Sequence, residues 1–172
     1  MTIHPCTQCG EPMTPEVCQY RYAESGMDNV VLQGVTVAEC SKCGNSEVAI
    51  PRTAKLHRAI AQALLKSPAR LTGEQLRFLR KHLGMSGDQL GQYLHTDKTK
   101  ISKWECGEDS IGPPTDRLIR LLAAALDSEL RPGVSLVAEH LPQISDESGN
   151  LWELQVDIET LQTTFVAIRR AA

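Results

Sequence analysis

Ser86-Gly87-Asp88-Gln89-Leu90-Gly91-Gln92-Tyr93-Leu94-His95-Thr96-Asp97-Lys98-Thr99-Lys100-Ile101-Ser102-Lys103-Trp104-Glu105 is the stretch on which the fold turns. Ser86 followed by Gln89 has the form of a capping box, in which a hydroxyl and an amide satisfy the free N–H groups of a helix start. Leu90 and Leu94 then supply the apolar stripe of a short helix. His95-Thr96-Asp97 makes a tight connection with Asp97 as N-cap, and the next helix buries Ile101 and Trp104 before stopping by Gly107. Two short helices three residues apart have the spacing that presents the second one to the major groove of DNA. The other face of that helix carries Lys98, Thr99, Lys100, Ser102 and Lys103. Lysines suit phosphates and short hydrogen-bonding side chains suit base edges, so these residues, with Ser86 at the preceding helix start, are the expected DNA contacts.

The neighbouring sequence extends the pattern in both directions. Thr72 and Gln75 form a second capping box ahead of Leu76, Leu79 and Leu83, and Gly84 is placed to end that helix. After Gly112-Pro113-Pro114, Thr115 can cap a further helix whose Leu118, Leu121, Leu122, Ala125 and Leu126 are expected to face inward. Residues 71–131 thus read as a helix-turn-helix domain of DNA-binding type. Residues 51–70 form a connecting helix with Leu56, Ile60, Ala63 and Leu64 on one face. In the extension over residues 132–172, Trp152, Leu154, Val156 and Ile158 alternate as a strand face, and residues 163–168 can pair back as a hairpin. A lone hairpin is marginal in water, so this face needs a cover. The fourth helix of the domain, the tail of a second subunit and a partner protein are the three covers expected.

Residues 1–50 have another character. Cys6-Thr7-Gln8-Cys9-Gly10 and Cys40-Ser41-Lys42-Cys43-Gly44 are two Cys-x-x-Cys-Gly knuckles, and β-branched runs between them predict a small antiparallel sheet. Each knuckle aims two thiolates at one ion while its glycine permits a positive φ, so Cys6, Cys9, Cys40 and Cys43 are expected to hold one structural Zn2+ per chain. Four thiolates leave no coordination position for water, which argues against catalytic zinc. Cys18 and Cys106 lack partners at ligand spacing and are expected to be incidental. The expected fold is therefore α+β: a zinc-bound antiparallel β module, then about five helices, then a C-terminal hairpin.

Charge is unevenly distributed. The 172 residues sum to −3, but residues 51–131 carry +5 between two segments of −4 each. Polyanion binding follows the local field, so the basic middle third outweighs the overall sign. No apolar run is long enough to cross a bilayer and no secretion signal is visible, so a cytoplasmic protein without a membrane partner is expected. His4, His57, His82, His95 and His140 are scattered, and no acid, base and nucleophile come together, so no enzymatic activity is expected.

The segment from Leu76-Arg77-Phe78-Leu79-Arg80-Lys81-His82-Leu83-Gly84-Met85-Ser86 to Ile101-Ser102-Lys103-Trp104-Glu105-Cys106-Gly107 resembles the Cro/repressor-type (XRE) helix-turn-helix. With the four-cysteine knuckles and the Val31-Leu32-Gln33-Gly34-Val35 strand ahead of it, the chain resembles the MqsA-type antitoxins and their YgiT-type zinc finger over about residues 4–127. The resemblance implies a homodimer that represses its own operon at a palindromic DNA operator and neutralises a cognate toxin encoded beside it. In that family an Asn and an Arg on the recognition helix read bases. Thr99 and Lys103 stand at those positions here, and Gly87 stands where a Gln is usual. Two other classes of function are a zinc-stabilised protein-interaction module and a stand-alone XRE regulator without a toxin.

Overall fold

The computed structural model describes residues 4–148 and 152–168, and the fold is α+β. A two-stranded pair, β1 (His4–Pro5) and β2 (Pro12–Met13), carries the first knuckle. The main antiparallel strands of the N-terminal part follow: β3 (Pro15–Arg21), β4 (Val30–Glu39) and β5 (Ser46–Ala49). Next come α1 (Thr53–Leu65), β6 (Ala69–Arg70), α2 (Gly73–His82), α3 (Gly87–Leu94), α4 (Lys98–Glu105), α5 (Pro113–Leu126) and α6 (Val134–His140). Strands β7 (Ser145–Ser148), β8 (Trp152–Asp157) and β9 (Thr163–Ala167) complete the described chain.

Strand β4 organises the sheet because it is buried and rich in β-branched residues, with Val30, Leu32 and Val35 fully enclosed. One edge carries β3, antiparallel from Pro15↔Ala38 to Arg21↔Val31. The other edge is shared. Strand β8 runs parallel to its first half from Val30↔Leu154 to Gln33↔Asp157, and β5 runs antiparallel along its second half from Thr36↔Ala49 to Glu39↔Ser46. Gly34 stands at the division with φ 78°, where the β3 register also slips between Cys18 and Tyr20. A bulge with a left-handed residue fits glycine, and it lets β4 change partners without breaking.

The hairpin read from the sequence is present, with β8 and β9 antiparallel from Trp152↔Ala167 to Val156↔Thr163. Its cover differs from the three expected. Leu154, Val156 and Ile158 are buried in the same cluster as Tyr22, Leu32, Leu56, Ile60 and Leu64, so the chain's own N-terminal sheet and α1 enclose them. Asn29 fastens the hairpin by donating from Nδ2 to the Trp152 carbonyl at 2.7 Å, and Arg52 Nη2 donates to the Glu159 carbonyl at 2.9 Å. The sequence could not disclose this arrangement, because parallel pairing between distant strands leaves no local turn signal.

The apolar cluster runs without interruption from the sheet through α1 into α2, α3, α4 and α5. The inward face of α5 is not the leucine stripe expected. Asp116, Ile119, Arg120, Ala123 and Ala124 are buried, whereas Leu118 is 42% and Leu126 38% exposed; Ala125 is exposed and Leu121 and Leu122 are half-buried. The physical reason is a buried ion pair. Arg120 Nε donates to Asp116 Oδ2 at 3.0 Å, Nη1 donates to the carbonyls of Leu64, Leu65 and Ser67, and Nη2 donates to that of Ala69 at 2.6 Å. Asp116 Oδ1 in turn accepts the Leu71 N–H at 2.8 Å. The guanidinium thus satisfies carbonyls left over at the C-terminal end of α1, where a cation also meets the negative end of the helix dipole. Polar demand turns the helix, and the leucines go outside.

Candidate metal centre and nucleic-acid interface

The two knuckles fold alike. Cys6 N–H donates to the Glu11 carbonyl and Gly10 N–H to the Cys6 carbonyl, at 2.8 and 2.9 Å; Cys40 N–H donates to Asn45 and Gly44 N–H to Cys40, at the same two distances. Gly10 and Gly44 have φ of 76° and 73° and close the turns. Strand β4 ends at Glu39, so it delivers the second knuckle beside the first, which β1 and β2 present. The four sulfurs lie within 4.8 Å of one another, with Cys6 Sγ 3.7 Å from Cys43 Sγ and Cys9 Sγ 3.5 Å from Cys40 Sγ. A tetrahedron with metal–sulfur bonds of about 2.3 Å has edges of about 3.8 Å, so the cluster has the dimensions of a closed four-thiolate metal site.

The electrostatics agree. Burial raises the Cys6 thiol, but N–H groups of Cys9 and Gln8 and the neighbouring thiols outweigh it and bring the pKa down to about 6. At Cys40 the Cys43 N–H leads, and its pKa is also lowered. Cys9 receives the Glu11 N–H, yet Cys40, burial and the remaining thiols push it up to about 12, and Cys43 is raised as well. Thiols this close resist common ionisation, and a divalent cation among them removes that resistance. Sequence reading missed the brace around the cluster. Asn45 Nδ2 lies 3.7 Å from Cys6 Sγ and donates to Glu47 Oε1 at 3.2 Å, while Glu47 accepts the Thr7 N–H at 3.0 Å and its hydroxyl at 2.7 Å. An Asn directly after a Cys-x-x-Cys-Gly run is the signal that was available.

Both capping boxes are formed: Thr72 with Gln75 opens α2, and Ser86 with Gln89 opens α3. Asp97 caps α4 by accepting the Lys100 N–H at 2.9 Å. The turn between α3 and α4 is tight because His95 adopts a left-handed φ of 51° and Thr96 N–H returns to the Gly91 carbonyl at 2.9 Å. A Cβ at Gly91 would lie 2.5 Å from the Thr96 carbonyl oxygen, so only glycine lets the two helices approach in this way. Ile101 and Trp104 are buried, and Arg80 clamps the end of α4 with Nε at 2.6 Å and Nη2 at 2.8 Å from the two carboxylate oxygens of Glu105. This bidentate pair raises the Arg80 pKa, and it fixes α4 relative to α2.

The expected DNA-contacting residues fall into two groups. Lys98, Thr99, Ser102 and Lys103 are exposed along α4. Ser86 is exposed too, and its hydroxyl oxygen accepts the Gln89 N–H at 3.2 Å; a Cβ at Gly87 would sit 3.7 Å from Lys98 Cβ, so the start of α3 adjoins the start of α4. Lys100 stands apart: its Nζ is 3.0 Å from Asp109 Oδ2 and 5.7 Å from the centre of the Trp104 ring. Its charge is already shared with the protein. Among the described residues, no helix is long and apolar enough to cross a membrane.

No family model matches the chain, and no solved structure matches it. Among curated proteins, the competence pilus inhibition repressor of Acinetobacter baylyi is 32% identical over 94 residues, a match that covers 52% of this chain and 78% of that repressor.

Proposed function

Because this chain belongs to the same family as the Acinetobacter baylyi competence pilus inhibition repressor, we propose that it is itself a transcriptional repressor that binds operator DNA with α4. The observation that carries this reading is the division of α4, with Ile101 and Trp104 in the core and Lys98, Thr99, Ser102 and Lys103 turned to solvent beside the start of α3. Lys98 supplies phosphate contact, and Thr99 and Lys103 supply limited base reading. Lysine lacks the guanidinium fork, so the guanine preference is weaker than an arginine would give. Zn2+ in the four-cysteine cluster is structural: it ties the chain's first strand pair to the end of β4.

One helix-turn-helix reads half a site, so the operator is palindromic and the repressor a homodimer, with half-sites about 10 bp apart or a multiple of that. The exposed Leu118 and Leu126, with half-exposed Tyr93 on α3, support that reading by leaving an apolar face on the helical domain. The antitoxin role rests on the joint resemblance of the knuckles and the helix-turn-helix, and it makes the product of the adjacent gene the toxin.

Fluorescence anisotropy with duplex from upstream of the gene, across a salt series, tests the reading. Binding should weaken steeply with salt, and Lys98→Ala should make the slope shallower by about one. Lys103→Ala should alter sequence preference as well. A protein that binds no duplex at low salt refutes DNA repression, and a neighbouring gene product that does not co-purify refutes the antitoxin role alone.

A further inference from the structure

Glu11 follows the first Cys-x-x-Cys-Gly run and Asn45 follows the second, so the two residues hold equivalent places. They behave differently. Glu11 Oε2 lies 3.4 Å from the Lys42 ammonium, and a carboxylate has no proton to offer a thiolate. Asn45 crosses to the other knuckle, where its Nδ2 stands 3.7 Å from Cys6 Sγ and 3.4 Å from Thr7 Oγ1. Cys6 is only 4% exposed and already receives the Gln8 N–H at 3.4 Å, so its sulfur is removed from water and served by two donors.

Glu47 decides which end of the Asn45 amide meets the sulfur. An asparagine can present either an acceptor oxygen or a donor nitrogen, and the two ends are alike in size. The Thr7 N–H at 3.0 Å and the Thr7 hydroxyl at 2.7 Å both donate to Glu47 Oε1, and they hold its carboxyl below the usual carboxylate range. Ionised, Glu47 only accepts, so it takes the amide nitrogen of Asn45 at 3.2 Å. That same nitrogen faces Cys6. Reversing the amide would set its oxygen against a carboxylate and a thiolate at once. Four thiolates around a divalent cation keep an excess of negative charge, and N–H donors at sulfur offset it.

We propose that Asn45, oriented by Glu47, is a positioning residue of the metal centre: it donates a hydrogen bond to the Cys6 thiolate and so governs how tightly the four cysteines keep their metal. The proposal rests on reading the cluster as a metal site. Neither residue ligates the ion. Thr7 belongs to the first knuckle and Asn45 follows the second, so the carboxylate that both serve closes the same gap as the metal.

Co2+ in place of Zn2+ reports on the sulfurs directly, because its sulfur-to-metal charge-transfer band falls in energy when a thiolate loses a hydrogen bond. The full chain is loaded with Co2+ to record that band, and with Zn2+ for competition against a chromogenic chelator. Asn45→Ala should move the band to lower energy and weaken Zn2+ binding by about 10- to 100-fold. Asn45→Asp, nearly the same in shape, should weaken it further by setting a charge against Cys6. Glu47→Gln keeps the packing but frees the amide to reverse, so it should shift the band in the same direction by less. Lys42→Ala is the control: it removes the ion pair with Glu11 that also crosses between the knuckles, from a side chain 63% exposed, and should leave the band in place. Circular dichroism confirms that each variant is folded. An unmoved band in Asn45→Ala refutes the proposal even where affinity falls, since a loosened structure alone would do that. An equal shift in Lys42→Ala refutes it too. A wild type that takes up neither ion refutes the metal site itself, and the proposal falls with it.

Discussion

Arg120→Met is the substitution with the largest expected effect on stability. The methionine keeps most of the side chain's length and volume but removes every donor from a site where Arg120 is 0% exposed. Asp116 would keep only the Leu71 N–H, and the Leu65 and Ser67 carbonyls would lose the guanidinium that serves them now. Breaking a buried pair from one side costs about 3–5 kcal/mol, because the remaining charge is stranded. Against a total stability of about 5–15 kcal/mol for such a domain, that is a large fraction. With a urea dependence of about 2 kcal/mol per M, a loss of about 4 kcal/mol moves the unfolding midpoint down by about 2 M. Tryptophan fluorescence during urea unfolding measures it. Adding Asp116→Asn should recover part of the loss at neutral pH. A midpoint shift below about 0.5 M, about 1 kcal/mol by the same slope, would mean that the Arg120 network does not hold α1 and α5 together.

The other expectations concern the metal, the turn and pH. Cys40→Ser, or a strong chelator, should release one metal ion per chain and lower hydrogen-exchange protection at residues 4–14 and 40–47 while sparing β4, which α1 holds; uniform loss of protection would contradict this division. Gly91→Ala should destabilise by several kcal/mol through the clash with Thr96, and His95→Gly should stabilise by about 1 kcal/mol by relieving the left-handed residue; thermal melts showing the same sign for both would refute the turn argument. Burial, with His82 nearby, lowers the His57 pKa, so the native state binds fewer protons than the unfolded chain below about pH 6.5. Stability is then full above that pH and is lost as pH falls through the native value of His57. His57→Phe should flatten the drop in Tm between about pH 7.5 and 5.5, and an unchanged profile would assign the drop elsewhere.

The parts of this molecule that were legible in its sequence are those encoded by near neighbours. Thr72 with Gln75 and Ser86 with Gln89 sit three residues apart, and both boxes form as their spacing implies. The knuckles are equally local, and β4 has only to bring two finished turns together. What sequence reading missed depends on distant partners. Nothing near Leu118 reveals that Arg120 will face inward, because its acceptors Leu64, Leu65, Ser67 and Ala69 belong to another part of the chain. Lys100 looks like Lys98 and Lys103 until Asp109 folds back against it.

The seam between β4 and β8 also bears on the order in which a nascent chain can fold. Val30 must wait for Leu154 before that half of the β4 edge is covered, and the residues between them include the whole helix-turn-helix. On the ribosome, the helices can assemble while the sheet still shows an open edge, and the hairpin closes it afterwards. Long-range parallel pairing is intrinsically slow, and an uncovered edge invites other strands. Early release of the chain, before the hairpin has been made, would leave a protein with complete α2 to α5 helices and an adhesive flank.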